Sequence, residues 1–364
     1  MAEISAYTER YNLFAQQLLQ KYYGERKDQN LVISPFSILM LLAIAADATD
    51  GQTREEIVRV INPEMNVDET TDLMMKIQSA LSASPSLSSA NAVCINHSIE
   101  RSIHMDYPKN LRKRYCGELF SSNDIVADIN NWVNEHTNGL IDSLADESMK
   151  HMLACLMNAI AFSADWHDEY EDDDIYEEEF TCSDGSKHEI EFLHRTEDYY
   201  IEDHNFIGFV KPYMDADYSF MALLPKEDAS RSLPDMLKIC NFTDLLRNSK
   251  YMEVFTALPE FTFSFDQDLT TFFQELGIQK VFTNGADFSP LSSEQLKAEA
   301  VIHKARIEVD RKGTKAAAVT AMFAVAGCAP SFDLKYVELT RPFIFAIMHN
   351  ETGLPVFTGI VNKL

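Results

Sequence analysis

The chain has 364 residues, 46% hydrophobic and 11% aromatic, with 12 glycines and 12 prolines. This excludes a disordered, collagen-like or low-complexity polymer and leaves enough apolar side chain for a large buried core. Lys and Arg number 31 against 57 Asp and Glu, a net charge of −26, so nucleic acid, anionic membranes and heparin-like polyanions are poor partners.

In chain order, Ile4, Tyr7, Tyr11, Phe14, Leu18 and Tyr22 recur at helical spacing, with Gly24 as a stop. Ser34-Pro35 opens a second helix, the serine as cap and the proline at the first position. Its body, Phe36 to Ala46, is apolar all round and predicts a deeply buried helix, too short to span a bilayer. A charged helix starts near Thr53, Ser82 to Ser89 reads as a loop, and Ile129, Trp132, Val133, His136, Leu140 and Leu144 form another helical stripe.

From the middle onward the pattern turns to strands. Cys155 to Phe162 reads as a strand buried on both faces. His188 to His194 alternates, Met214 to Asp217 is a turn between two strands, and Phe261, Phe263 and Phe265 mark a half-buried strand. Asp268 to Leu276 is a short helix stopped by Gly277. Phe343 to His349 and Val356 to Val361 form a buried hairpin. Helices early and strands late argue an α+β fold, and no linker divides the chain, so residues 1–364 are one domain.

Enzyme motifs fail. No Gly-rich phosphate loop and no Gly-x-Ser-x-Gly is present. His188-Glu189 begins like a zinc-protease motif, but position 192 is Phe192, so no metal site is expected. His151 and Cys155 could share a helix face, yet no orienting third group is identifiable. The six cysteines, Cys94, Cys116, Cys155, Cys182, Cys240 and Cys328, stand at no metal or redox spacing and read as reduced singletons. Nine carboxylates between Asp168 and Glu179 lack the glycine and spacing of a calcium loop and read as a solvated acidic loop. The start, Met1 to Ser5, has neither a basic nor an apolar leader region, so no signal peptide is expected; the compartment stays open between cytoplasm and secretion after processing.

The most informative stretch follows Gly313-Thr314-Lys315. Residues Ala316 to Ala329 are fourteen consecutive uncharged residues, nearly all small, in a chain that is 24% charged. Val319, Thr320, Val325 and Gly327 are mediocre in a helix. A core strand is usually shorter and bulkier, and an exposed apolar run invites pairing. A segment exposed in one state and a central strand in another reconciles these readings, because a closing sheet admits only small side chains on both faces.

The chain resembles a serpin, a serine-protease inhibitor, over essentially its whole length. The matching blocks, in order, include Asn30 to Ser37, Trp132-Val133, Asn158 to Phe162 with Trp166, Pro212-Tyr213, Leu223 to Pro225 and Leu258 to Phe261. Leu276 to Ile278, Ala286 to Ser289, His303 to Ala305, Gly313-Thr314, Arg341 to Phe343 and Pro355 to Gly359 complete the series. The resemblance implies three β-sheets with about eight or nine helices and a reactive loop over residues 310–331, with its hinge at 313–321. A protease cleaves this loop, is held as an acyl-enzyme, and is dragged along as the loop inserts into the main sheet. A strand of some fourteen residues spans roughly 45 Å at about 3.3 Å per residue.

By that resemblance Gly313, Thr314, Lys315, Ala316, Ala317, Ala318, Val319 and Thr320 are the hinge. With a period of two, Thr314, Ala316, Ala318 and Thr320 would face one way. The departures are Lys315, where many inhibitory members have an acid, basic Arg311-Lys312 just before the hinge, and Ser163-Ala164-Asp165 ahead of the tryptophan. The family loop length puts the scissile bond at Gly327-Cys328, with Ala326-Gly327 and Cys328-Ala329 as neighbouring choices. Small residues there, with Val325 and Ala326 as specificity positions, favour elastase-like or subtilisin-like serine proteases. Ser34, Ser37, Asn158 and His303 match the polar cluster under the main sheet, and Trp166 the tryptophan where the loop first enters. The expected molecule is a metastable monomer without cofactor or metal that forms a covalent 1:1 complex with its protease. A non-inhibitory chaperone or carrier is the alternative.

Overall fold

The computed structural model describes residues 2–25, 29–226, 233–298, 301–314 and 334–364. Lys315, Ala316, Ala317, Ala318, Val319, Thr320, Val325, Ala326, Gly327, Cys328 and Ala329 therefore lie outside the described residues.

The first half holds α1 (Ala2–Glu25), β1 (Leu31–Ile33), α2 (Pro35–Ala48), α3 (Gly51–Ile61), α4 (Val67–Leu81), β2 (Leu87–Asn96), α5 (Tyr107–Tyr115), β3 (Glu118–Ser122) and α6 (Ile125–His136). Strands then dominate, with β4 (Ala154–Phe162), β5 (Ala164–Asp165), β6 (Ile175–Thr181), β7 (Lys187–Glu202), β8 (Phe206–Pro212) and β9 (Tyr218–Pro225). The last part holds α7 (Leu233–Leu237), α8 (Phe242–Arg247), β10 (Lys250–Pro259), β11 (Phe261–Asp268), α9 (Thr270–Glu275), β12 (Ile302–Val309), β13 (Gly313–Thr314), β14 (Lys335–Glu338), β15 (Phe343–His349) and β16 (Leu354–Val361). The expected α+β order of early helices and late strands is what the chain adopts.

There are three hydrogen-bonded sheets among the described residues. Nine strands form the largest, in the order β1-β16-β15-β9-β8-β7-β10-β14, with β6 also paired to β7. The other two are β11-β12-β13-β5 and β3-β2-β4. Only Ser163 separates β4 from β5, so these two are halves of one layer. Among the described residues no backbone pair joins β4 to β12.

Local chemistry explains how the layer is covered. Ser34 Oγ accepts from Ser37 N at the start of α2, and Pro35 follows at the first helical position. The helix is apolar on all sides because it is enclosed, packing against β4 and β16. On the opposite face, α6 sets Ile129, Trp132 and Val133 against Ala92 and Cys94 of β2 and Met157 and Ala159 of β4. Ile160 and Phe162 instead join the main core. Covering on both faces is why β4 reads as a continuous apolar run.

Four local expectations are corrected. Residues 82–89 are not all loop, since β2 starts at Leu87 and the serines Ser88 and Ser89 serve as sheet residues. The helical stripe ends at His136: Asn138 (φ 52°) and Gly139 (φ 78°) turn left-handed, and Leu140 and Leu144 follow in non-helical chain. The acidic stretch is not all loop: Asp172–Asp174 form a 3-10 turn, and Ile175 to Glu179 pair with β7 as β6, an edge strand with Glu177 and Glu179 exposed. His151 and Cys155 share no helix face, since Cys155 sits on β4 opposite Cys94.

Gly359 marks a close crossing in the large sheet. A Cβ there would lie 2.3 Å from Phe345 Cζ and 2.4 Å from Leu31 O. Gly359→Ala is expected to cost about 1–3 kcal/mol by overpacking, measured as a lower midpoint in chemical denaturation.

Candidate functional site

The site is built where β13 bridges β5 and β12. The chain leaves β12, turns at Asp310 and comes back as β13. Asp310 Oδ1 accepts from Lys312 N (2.8 Å) and Gly313 N (3.1 Å), and Asp310 N donates to Gly313 O (3.0 Å), so one carboxylate shapes the reversal. β13 then lies between the two halves: Thr314 pairs with Val309 on one side and Ala164 on the other, and Gly313 pairs with Asp165. A Cβ on Gly313 would stand 2.2 Å from Ala164 O, so only glycine fits. Thr314 is 2% exposed, and its Oγ1 shares a 2.8 Å hydrogen bond with Tyr213 Oη. Thus residues 310–314 of the expected loop region are a turn and a sheet strand.

Trp166 anchors the same corner. It is fully buried, donates Nε1–H to Asp310 O (2.9 Å) and backbone N–H to Lys312 O (2.7 Å), and stacks on Tyr213 at 4.7 Å and 8°. Beneath these rings lies a buried ion pair, Lys211 Nζ to Glu197 Oε1 at 2.7 Å, with the ammonium 4.5 Å from the Tyr170 ring centroid and 5.3 Å from that of Trp166. Burial pushes the Glu197 carboxyl up, and Lys211 opposes it. The basic departure Arg311 meets three acids: Asp172 (3.0 Å), Glu260 (3.7 Å) and Glu191 (3.9 Å). Its backbone N also donates to Glu260 Oε1 at 2.9 Å.

The four polar residues expected under the sheet are only partly brought together. Ser34 Oγ donates to Val356 O (2.8 Å), and Ser34 N donates to His303 Nε2 (3.2 Å). Asn158 lines the same space as Ser37 and His303, but its amide donates to Asn91 Oδ1 (2.7 Å) on the neighbouring strand. Burial lowers His303 to about 4, so it is a neutral acceptor. Sequence reasoning missed the roles of Lys211, Glu197, Glu260 and Asp172; their partners lie far away in the chain, and only the fold brings them together. Cys155 is pushed up to about 12 by burial and presents no thiolate nucleophile at neutral pH. Among the described residues no group of three His, Cys, Asp or Glu side chains could hold a metal ion.

Two predictions follow from this geometry. Arg311→Glu sets a fourth carboxylate among Asp172, Glu191 and Glu260, so its thermal midpoint should fall, and Glu260→Lys in the same chain should restore part of the loss. His303 has a folded pKa below its unfolded value, so its contribution is complete above pH 6.5 and is lost as pH falls towards 4, about 3 kcal/mol in all. Denaturation between pH 7 and 4 should show this decline, and His303→Gln should flatten it.

A family model described as "Serpin (serine protease inhibitor)" matches residues 9–364. An uncharacterized serpin-like protein of Thermococcus kodakarensis is 30% identical over 96% of this chain and 83% of its own. Iripin-2 of Ixodes ricinus is 28% identical over 93% and 88%. The native state of tengpin, a thermophilic serpin, superposes with a TM-score of 0.87 at 32% identity, covering 99% of this chain and 94% of its own. The chain belongs to the serpin family.

Proposed function

We propose that this protein inhibits elastase-like or subtilisin-like serine proteases by trapping the acyl-enzyme through loop insertion. The observation that carries the reading is Thr314, buried and paired on both sides between β5 and β12 while β4 and β12 lack pairing to each other among the described residues. In this reading the hinge begins at β13, which runs antiparallel to both β5 and β12, the direction an inserting strand would take. The residues that would follow it, Lys315 to Ala329, are uncharged after the lysine and nearly all small, Met322 and Phe323 excepted.

In the proposed reaction the protease's serine Oγ attacks the carbonyl carbon of Gly327. The Gly327–Cys328 bond breaks, the amine of Cys328 leaves with a proton from the protease's histidine, and Gly327 remains as an ester on the serine. The freed segment zips down between β4 and β12 with Thr314 leading, and burial of the new strand supplies the driving force. The serpin performs no catalysis; it supplies the bond and the strain. Ala326 and Gly327 offer nothing to fill a deep anionic or aromatic pocket, and Val325 and Ala326 suit an elastase.

Mixing with an elastase should give a complex that survives detergent and carries a carboxyl-terminal peptide beginning at Cys328, read by mass spectrometry. Cleaved inhibitor with no complex would favour the carrier reading. Thr314→Arg should convert the protein into a substrate, because a guanidinium at a site 2% exposed costs several kcal/mol to bury. Loop cleavage of the wild type should raise the thermal midpoint strongly.

A further inference from the structure

We propose that Cys94 and Cys155 are a redox-modification site: they close a cross-strand disulfide that staples β2 to β4 beneath α6. The inference stands apart from the inhibitory reading, because neither thiol belongs to the loop or its hinge.

In the sequence the six cysteines are singletons, and Cys94 and Cys155 are about sixty residues apart. Register brings these two together. β2 and β4 pair antiparallel without a shift from Leu87 opposite Phe162 to Ile95 opposite Ala154, which sets Cys94 directly opposite Cys155. Directly opposed residues of an antiparallel pair have Cα atoms about 4.5 or 5.5 Å apart. A disulfide spans roughly 4.4–6.8 Å between Cα atoms, so the backbone is already at bridging distance. Opposed side chains leave the sheet on the same face, and here it is the face covered by α6. Cys94 is fully buried with Ile129, Trp132 and Val133 of α6, and Cys155 packs against the same group. Both are free thiols in the structure. The hydrogen bond that Cys155 Sγ donates to Leu156 O is long, at 3.9 Å, and little is lost when it breaks.

Cys155 is the point of entry. It is half-buried where Cys94 is fully buried, and it lines a cavity with Met149, Met152 and Leu156. The oxidant is of the small-disulfide class, glutathione disulfide being the simplest. Cys155 gives up its proton to solvent, and its sulfur attacks one sulfur of that disulfide. The S–S bond breaks, and one glutathione leaves as a thiolate and takes up a proton. Cys94 is deprotonated in turn, attacks Cys155 Sγ and expels the second glutathione, which is protonated likewise. Two protein thiols lose two electrons, and one glutathione disulfide is reduced to two thiols. Burial holds both thiols up to about 12, with the neighbouring thiol and the Asp128 carboxylate of α6 adding to this at Cys94. The exchange is therefore slow at neutral pH, and the closed bond is sheltered from reductant.

The bond closes a loop of about sixty residues that carries α5, β3 and α6. Such a closure removes freedom chiefly from the unfolded chain and raises stability.

The test holds the native wild type with glutathione disulfide near pH 9, quenches with acid, caps the remaining thiols in denaturant and maps the unreduced peptides by mass spectrometry. A peptide linking Cys94 to Cys155 is expected, released by dithiothreitol and absent from Cys155→Ser. The oxidised wild type should melt higher by roughly 5 °C. Dithiothreitol should reverse the gain, and the oxidant should leave the midpoint of Cys155→Ser where it was. A Cys94 thiol still free after exhaustive oxidation, with or without glutathione on Cys155, would overturn the proposal. Links confined to the exposed Cys116 between two molecules would overturn it as well. A Cys94–Cys155 link that leaves the midpoint unchanged would overturn the staple. Should Cys155→Ser fail to fold, Cys94→Ala takes its place, since it removes the same bond and adds no polar group to the core.

Discussion

One constraint organises the molecule: a sheet layer whose two halves are joined by β13 at the corner beside Trp166. Backbone N–H and C=O groups along a buried strand need partners. Among the described residues, β4 and β12 do not supply them to each other, and β13 supplies them to β5 and β12 at one end only. The layer is covered on both faces, since α2 is apolar on every side and α6 lies across β2 and β4.

The corner that holds β13 is built from charges and rings in equal part. Trp166 and Tyr213 stack flat, Thr314 bonds the Tyr213 hydroxyl, and Asp310 folds the turn. The buried Lys211–Glu197 pair contributes little net stability by itself, because desolvation offsets attraction, but breaking it leaves a lone charge inside. Its use here is to fix geometry: Lys211 donates to Asp168 O (3.2 Å) and faces both Trp166 and Tyr170. Arg311 then ties the turn before β13 to Asp172, Glu191 and Glu260 on three separate stretches, so the acidic surface of this chain has a structural role at that corner.

Much of this was legible beforehand. The stripe from Ile4 to Tyr22 became a helix with all six residues buried, and Ser34-Pro35 capped the second helix as its chemistry requires. The hairpin Phe343 to Val361 formed, with its two strands paired antiparallel. Errors fell where a local signal was overruled: serines at 88 and 89 entered a strand, and Leu140 and Leu144 kept helical spacing after Asn138 and Gly139 had ended the helix. Of the four polar residues expected to cluster, Ser34 and His303 bond directly while Asn158 turns to Asn91.

Periodicity, caps and composition act between neighbours in the chain, so the sequence by itself determined the element types, the buried second helix, the α+β order and the small, uncharged character of residues 316–329. Partnerships between distant residues were beyond it. That Arg311 would face Glu260, that Lys211 would sit buried on Glu197 beneath Trp166, and that Cys94 would stand opposite Cys155 depended on strand register and on how the layers close. Only the tertiary structure decided these, because a charge or a thiol carries no local mark of what the fold will set opposite it.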